Sequence, residues 1–403
     1  MEFLPILSVP TGFPCCIMSK ECVVLCNASL RPLPRSVVTV LWHLTMKTYN
    51  IVVLKGDGIG PEIIDAALRV LDAVEKKLER FHLNLQFYPA GAECYRQTGT
   101  NLSHEAFAAC KAADAVLKGP MGLPEVRKPD GTEAGILGGV LRTGLDLYAN
   151  VRPIRLFPEV ATALAGKVAG DIDYVIVREN TEGIYFSRGA GEVTPEGVKD
   201  TIVTTRAGTE RIVKFAFELA RKRPDAPQDG VKRVTCIDKS NVLRSYVLFR
   251  QIFEEVGKQY PDIEKNCLYA DAAAQALILW PERFSVIVCE NFLGDIFSDL
   301  GAATAGGLGF CGAANLGIKH AVFETTHGSA PALAGTNKAN PISAILAAAM
   351  MLERLGEVLA SEAIRSAVET TCKDKRVWID TEGCPVEGTQ VVTDAVVQCV
   401  TEQ

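Results

Sequence analysis

From residue 50 onward the chain alternates short apolar runs with longer stretches in which apolar residues recur every three or four positions. NIVVLKG, ADAVLKG, DYVIVRE, KRVTCIDK and FSVIVCEN read as buried strands, each bounded by turn or charged residues. PEIIDAALRVLDAVEKKLE carries the helical period, with Pro61 in its first turn, where a missing N–H leaves no bond unmade. Further helices are expected at TERIVKFAFELARKR, VLRSYVLFRQIFEEVGKQY and ISAILAAAMMLERLG. Strands alternating with helices of this length predict an α/β fold with a largely parallel sheet. PDAPQDG (residues 224–230) is a surface loop, because strand and helix resume at once.

Length and charge narrow the picture. A chain of 403 residues suggests two domains of ordinary size. Its net charge of -6 argues against a nucleic-acid surface, which needs a basic patch. No apolar run approaches the ~20 residues of a membrane helix. The thirteen cysteines are scattered, odd in number and never in CxxC spacing, which points to free thiols in a reducing compartment. Residues 1–45 differ from the rest: they hold Cys15, Cys16, Cys22 and Cys26, several prolines and few charges, and they show no period. They lack a basic region before an apolar core, so a secretory signal is not expected. The preferred reading is an unstructured extension before a folded body that begins near Met46, in the cytoplasm. A transit peptide would place the protein in an organelle matrix instead.

Candidate chemistry begins with ENFLGDIFSDLGAATAGGLG. Asp295 and Asp299 stand four residues apart in apolar sequence, on one face of a helix. A carboxylate in such a setting is expensive to bury without a cation or donors to receive it. Two hard oxygen donors on one face suit Mg²⁺ or Mn²⁺. A helix cap at Asp295 with an exposed Asp299 is the alternative. A third aspartate in apolar surroundings, Asp271 in LYADAAAQAL, favours the metal. GDGIG (residues 56–60) is no dinucleotide fingerprint, since the third glycine of GxGxxG would fall at Pro61; a tight strand-to-helix turn explains it at least as well.

Arginines grip carboxylates in bidentate fashion without losing charge. Arg142 and Arg152 lie in LRTGLDLYANVRP, and Arg178 ends the apolar strand DYVIVRE, where α/β sheets place functional groups. Any one of the three could instead be a surface salt bridge. Tyr185 follows, and Lys239 stands at a similar strand end, able to serve as a general base if its pKa is lowered. A salt bridge to Asp238 is the plainer reading of Lys239. The last segment, FETTHGSAPALAGTNKANPISAIL, is rich in small residues around His327 and allows close backbone approach to a flat, phosphate-bearing ligand.

Together these stretches resemble the β-decarboxylating dehydrogenases, the family of the isopropylmalate, isocitrate, homoisocitrate, tartrate and D-malate enzymes. The resemblance runs from about residue 50 to about residue 400. It implies an isopropylmalate-dehydrogenase-like open α/β sheet fold, distinct from the Rossmann domain. Residues 46–147 and 306–403 would form a cofactor-side domain built from both chain ends, and residues 148–305 a catalytic, dimer-forming domain. It further implies that Arg142, Arg152 and Arg178 hold a dicarboxylate substrate, which Asp271 also approaches. Asp271, Asp295 and Asp299 would bind Mg²⁺ or Mn²⁺. Tyr185 and Lys239 would be the acid–base pair, with Lys239 and Asp271 crossing a homodimer interface. His327, Gly328, Ser329, Ala330, Pro331 and Asn340 would hold the adenosine half of NAD.

The resemblance leaves the substrate open. Isopropylmalate enzymes carry leucines just before the first arginine, and isocitrate enzymes a Ser and an Asn. This chain has Ile136, Leu137, Gly138 and Gly139. With no side-chain donor there, a third carboxylate would lack a partner. GIYF (residues 183–186) looks like the isopropylmalate enzymes, whereas ENTEG and LKGP (residues 117–120) look more like the isocitrate or tartrate enzymes. A 3-alkylmalate is expected, 3-isopropylmalate first. Ala332 and Leu333 match neither the NAD nor the NADP pattern, and without a visible partner for a 2′-phosphate NAD is expected. Some relatives are non-catalytic regulatory subunits that have lost catalytic or metal positions, but Tyr185, Lys239, Asp271, Asp295 and Asp299 are all present here.

Overall fold

The computed structural model describes residues 46–403 except 130, 136, 188, 189, 381, 382 and 403. The extension 1–45 and Ile136 of the expected selectivity wall therefore lie outside the described residues. Ten strands form one sheet: β1 (Lys47–Leu54), β2 (Phe81–Phe87), β3 (Ala115–Lys118), β4 (Ala149–Arg155), β5 (Asp173–Glu179), β8 (Arg233–Asp238), β9 (Glu264–Tyr269), β10 (Val286–Cys289), β11 (Gly312–Leu316) and β12 (Ala321–Thr325). Two more, β6 (Glu192–Thr194) and β7 (Gly197–Lys199), form a separate hairpin. The order across the large sheet is β2-β1-β3-β12-β11-β4-β5-β10-β8-β9. Strands from the two ends of the chain make one half, and strands from its middle make the other.

The flanks of the sheet are parallel, but its centre is not. β11 runs antiparallel to both β12 and β4, and β4 runs antiparallel to β5. The sheet is thus mixed, and the reversal brings the carboxyl ends of β12 and β5 to the same edge as the start of β4.

Helices cover both faces, which is why the strands read as unbroken apolar runs. On β1, Ile51 and Val53 pack among residues of the helices Gly60–Leu78 and Ile342–Leu355, while Val52 and Leu54 face Leu137, Leu141 and Leu145. β5 divides likewise, Val175 and Val177 joining the first core, Tyr174 and Ile176 a second one with Phe284 and Phe297.

GDGIG is a structural joint. Gly58 has φ +58°, and a Cβ there would collide with the carbonyl of Ser329. Asp57 is buried and receives the amides of Ala92 (2.7 Å), Glu93 (3.0 Å) and Gly122 (2.8 Å), locking three loops together.

Candidate active site

The helix Asn291–Thr304 follows β10 and carries both candidate metal ligands. Glu290 caps it, accepting from the amides of Phe292 (3.0 Å) and Leu293 (3.4 Å). Asp295 and Asp299 lie one turn apart, and each reaches toward the arginines of the neighbouring strands. Gly294 lets the helix lie directly on β5, because a Cβ there would sit 2.5 Å from Cγ of Arg178.

Arg178 is almost fully buried. Its Nε donates to Asn291 Oδ1 at 2.9 Å, its Nη1 bonds the Asp295 carboxylate, and its guanidinium lies 5.7 Å from the Tyr185 ring. Arg152, also buried, donates to Asn150 Oδ1 (3.0 Å), Ser298 Oγ (2.6 Å) and Asp299 Oδ1 (3.3 Å), with Asp295 Oδ1 3.5 Å from its Nη2. Tyr185 Oη donates to Asp295 Oδ2 at 3.0 Å. The structure thus brings Arg152, Arg178, Tyr185, Asp295 and Asp299 into one constellation.

The electrostatics follow from burial. Desolvation, reinforced by Arg152 and Arg142, lowers Arg178 to about 9, which leaves it charged at neutral pH. Burial raises Asp295, but Arg178 and Arg152 outweigh it and hold the carboxyl below the ordinary aspartate range. Asp299 is shifted the other way, because burial and the neighbouring Asp295 exceed the pull of Arg152. The two carboxylates are therefore unlike, one firmly ionised and one easier to protonate.

Arg142 stands apart from this group, in the π-helical turn Gly138–Thr143, with Nη2 3.2 Å from Glu324 Oε1. Lys239 and Asp271 are farther away still. Lys239 follows β8, Asp271 opens the helix Ala270–Leu279 after the edge strand β9, and the two pair at 2.6 Å. The salt bridge expected between Lys239 and Asp238 does not form; Asp238 takes Arg250 at 2.7 Å instead. Among the described residues no group of three His, Cys, Asp or Glu side chains could hold a metal, so Asp271 does not join Asp295 and Asp299 within one chain.

On the cofactor side, the stretch 327–340 leaves the carboxyl end of β12. His327 is kept from protonating by burial, with Nε2 2.9 Å from Ser343 Oγ and Nδ1 2.9 Å from the Gly328 carbonyl. Ser329 is buried and bonds the Gly122 carbonyl. Ala330 adopts φ 38°, turning the chain so that Pro331 is exposed. Asn340 accepts from the Ile342 amide at 3.1 Å and donates to the Gly383 carbonyl at 3.2 Å. The largest cavity found, about 540 Å³, lies elsewhere, between Phe157, Cys372 and Trp378, and none of the expected site residues lines it.

Residues 50–400 match the family described as isocitrate/isopropylmalate dehydrogenase. The chain belongs to this family. It is 44% identical over 360 residues to the 3-isopropylmalate dehydrogenase of Bacillus cereus (strain ZK / E33L), covering 88% of this chain and 97% of that one. The Methanothermobacter thermautotrophicus 3-isopropylmalate dehydrogenase is 39% identical, over 84% and 95% of the two chains. The solved structure of isocitrate dehydrogenase from Methylococcus capsulatus superposes with a TM-score of 0.77 at 35% identity, covering 88% of this chain and 99% of that one.

Within this family member the sequence reading passed over one group. Glu324, on β12, is buried between Lys118 Nζ (2.6 Å) and Arg142, and also accepts from Asn315 Nδ2 at 2.7 Å. Asn315 accepts from Asn150 at 2.7 Å, and Asn150 in turn accepts from Arg152. A polar chain thus runs through the sheet from Lys118 to the arginine cluster. The only signal in the sequence was a single Glu between Phe323 and Thr325 in a buried strand.

Proposed function

We propose that the protein is an NAD-dependent, divalent-metal-dependent 3-isopropylmalate dehydrogenase that oxidises and decarboxylates its substrate to 2-oxoisocaproate, a step of leucine biosynthesis. The observation that carries this reading is the arrangement of Arg152, Arg178 and Tyr185 around Asp295 and Asp299. Buried guanidiniums are suited to gripping two carboxylates, and the phenol stands beside them. The sequence identity to 3-isopropylmalate dehydrogenases supports the substrate.

The donor set fits the expected groups. Asp295 and Asp299 offer oxygen donors from consecutive turns and keep part of their surface exposed, as a hard divalent cation requires. The stretch 327–340, with a left-handed Ala330 and small side chains, gives a flat ligand access to backbone. When bound, the cation acidifies the 2-hydroxyl and stabilises the enolate, and NAD accepts the hydride.

The chain's own residues do the rest. Arg142, Arg152 and Arg178 fix the malate carboxylates. Lys239 Nζ takes the proton of the 2-hydroxyl. Tyr185 Oη returns a proton to carbon after carbon dioxide leaves. Lys239 and Asp271 act in the site of a second copy, making a homodimer with shared sites. Two features support this. Lys239 and Asp271 lie together at the open edge of the sheet, and the adjoining helices expose Ile278, Leu279, Trp280, Phe292 and Ile296, more apolar surface than a free helix face usually carries. The two-domain division, with one domain built from both chain ends, belongs to the same reading. So does a reducing compartment, the cytoplasm or an organelle matrix, which fits the nine cysteines seen as free thiols. No helix among the described residues is long and apolar enough to cross a membrane.

The test is a panel of 3-isopropylmalate, isocitrate, D-malate and tartrate, each with NAD and with NADP, with Mn²⁺ and with excess EDTA. Turnover of 3-isopropylmalate with NAD, lost in EDTA, is expected. A preference for another acid, or activity that persists in EDTA, overturns the assignment.

A further inference from the structure

The fold puts a small cavity beside Arg142, walled by Leu137, Gly138 and Leu141 and floored by Lys118 and Glu324. The apolar wall is part of the turn where selectivity is expected. Its floor is charged, which at first sight suits a carboxylate. The charges, however, are already matched. Both oxygens of Glu324 are engaged, Oε2 by Lys118 at 2.6 Å and Oε1 by Arg142 at 3.2 Å and by Asn315 at 2.7 Å. Lys118 also donates to the Gly119 carbonyl at 3.0 Å. All three charged side chains are largely shielded from water, so each charge is felt strongly by its neighbours.

We propose that Glu324 is the specificity-determining residue of this subsite: by cancelling Lys118 it leaves one net positive charge beside Arg142, enough for a dianionic 3-alkylmalate and one short of what a trianionic substrate needs. The inference rests on the function proposed above. It assigns Glu324 a positioning role, acting through Lys118 and Arg142 without touching the reacting atoms. Lys118 is thereby a restrained cation, and the 3-substituent meets only Leu137, Gly138 and Leu141. Glu324 stays ionised in this role, since Lys118 and Arg142 together hold it well below the usual carboxylate range despite its burial.

Counting charges gives the test. Lys118, Arg142 and Glu324 sum to one positive charge. Glu324→Gln raises the sum to two, and Lys118→Met with Glu324→Gln returns it to one. The quantity read is kcat/KM for isocitrate divided by that for 3-isopropylmalate. It is expected to rise about tenfold or more in Glu324→Gln, the scale of one unit charge at contact distance in a partly buried site. It should return to the wild-type value in the double variant and in Glu324→Asp. Equal losses on both substrates, with the ratio unmoved, would make Glu324 merely structural and overturn the inference. If Glu324→Gln does not fold, Lys118→Met serves alone: it lowers the sum to zero, so the ratio must fall about tenfold, and an unchanged ratio has the same negative meaning. Wild-type protein inactive on 3-isopropylmalate would instead remove the underlying functional reading, so the two failures are distinguishable.

Discussion

Around Arg178 the charges are buried and cross-linked by three strands and a helix, whereas Lys239 and Asp271 meet at the outer edge of the sheet with much of both side chains in water. The first region is preorganised: Arg152 and Arg178 hold Asp295, Tyr185 donates to it, and Gly294 keeps the helix close. The second has two groups whose proposed roles are to bind metal and to move a proton, yet it has no cavity and no third carboxylate. A chain that builds one half of a site tightly and leaves the other half on an apolar edge is suited to completing the second half from another copy.

The largest expected effect breaks the preorganised half. Asp295→Asn keeps the hydrogen bond of Tyr185 but removes the charge facing two buried guanidiniums and a metal ligand. Turnover should fall roughly a thousandfold or more, at or beyond the upper end for loss of one preorganised electrostatic partner, while circular dichroism shows an intact fold. Survival of more than a tenth of the activity would refute the metal assignment for this residue.

The exposed half is probed by complementation. Lys239→Ala and Tyr185→Phe should each be inactive alone. If a site takes Lys239 from one copy and Tyr185 from the other, a mixed dimer has one intact site. Full exchange of an equal mixture should then restore about a quarter of wild-type activity, from the statistics of pairing in a two-fold dimer. Confirmed exchange with no recovered turnover would leave the shared site without support.

The same contrast governs how much could be read from sequence. The run DYVIVRE stands as the strand Asp173–Glu179, and the helix after Pro61 runs Gly60–Leu78, because continuous apolar runs and the 3.6-residue period are local signals. The sheet's antiparallel centre was not legible. β4 (ANVRPIR) interleaves Asn, Arg and Pro, and β11 (GAANL) has no β-branched residue, so neither shows strand propensity. Asp295, Asp299 and Arg178 could be found because charge in apolar sequence is conspicuous. Glu324 could not be assigned, since its partners come from β3 and from the turn before β4, far off in sequence. The partner of Lys239 was misjudged for a related reason: adjacency suggested Asp238, but Arg250, one helix away, holds that carboxylate.

A smaller effect concerns stability and pH. Glu324 has a depressed folded-state pKa, so its contribution is present above the unfolded glutamate value of ~4.3 and is lost as pH falls through the lower folded value. Glu324→Gln leaves Lys118 buried without its carboxylate, and breaking such a pair costs about 3–5 kcal/mol. Denaturant melts should show that deficit at pH 7 and a narrowing gap between variant and wild type as pH drops below about 4. A gap independent of pH would mean that shape, and not charge, explains the loss.

The smallest expected effect is none at all, and it tests where the folded body begins. Tyr49 on β1 is buried, with its hydroxyl on the Leu355 carbonyl and on Glu357 Oε1, both at 2.8 Å. Ile51 and Val53 then enter the main core. The contacts that fix this strand are therefore made to the distant helix end at Leu355 and to the neighbouring strand β3. Nothing in the composition of residues 1–45 supplies an apolar period with which to pack on that body. A chain starting at Met46 should keep its thermal midpoint within about one degree and its turnover unchanged, as surface changes away from packed contacts generally do. A fall of several degrees would show that the extension contributes to the folded body, and the boundary drawn at Met46 would have to move toward the amino terminus.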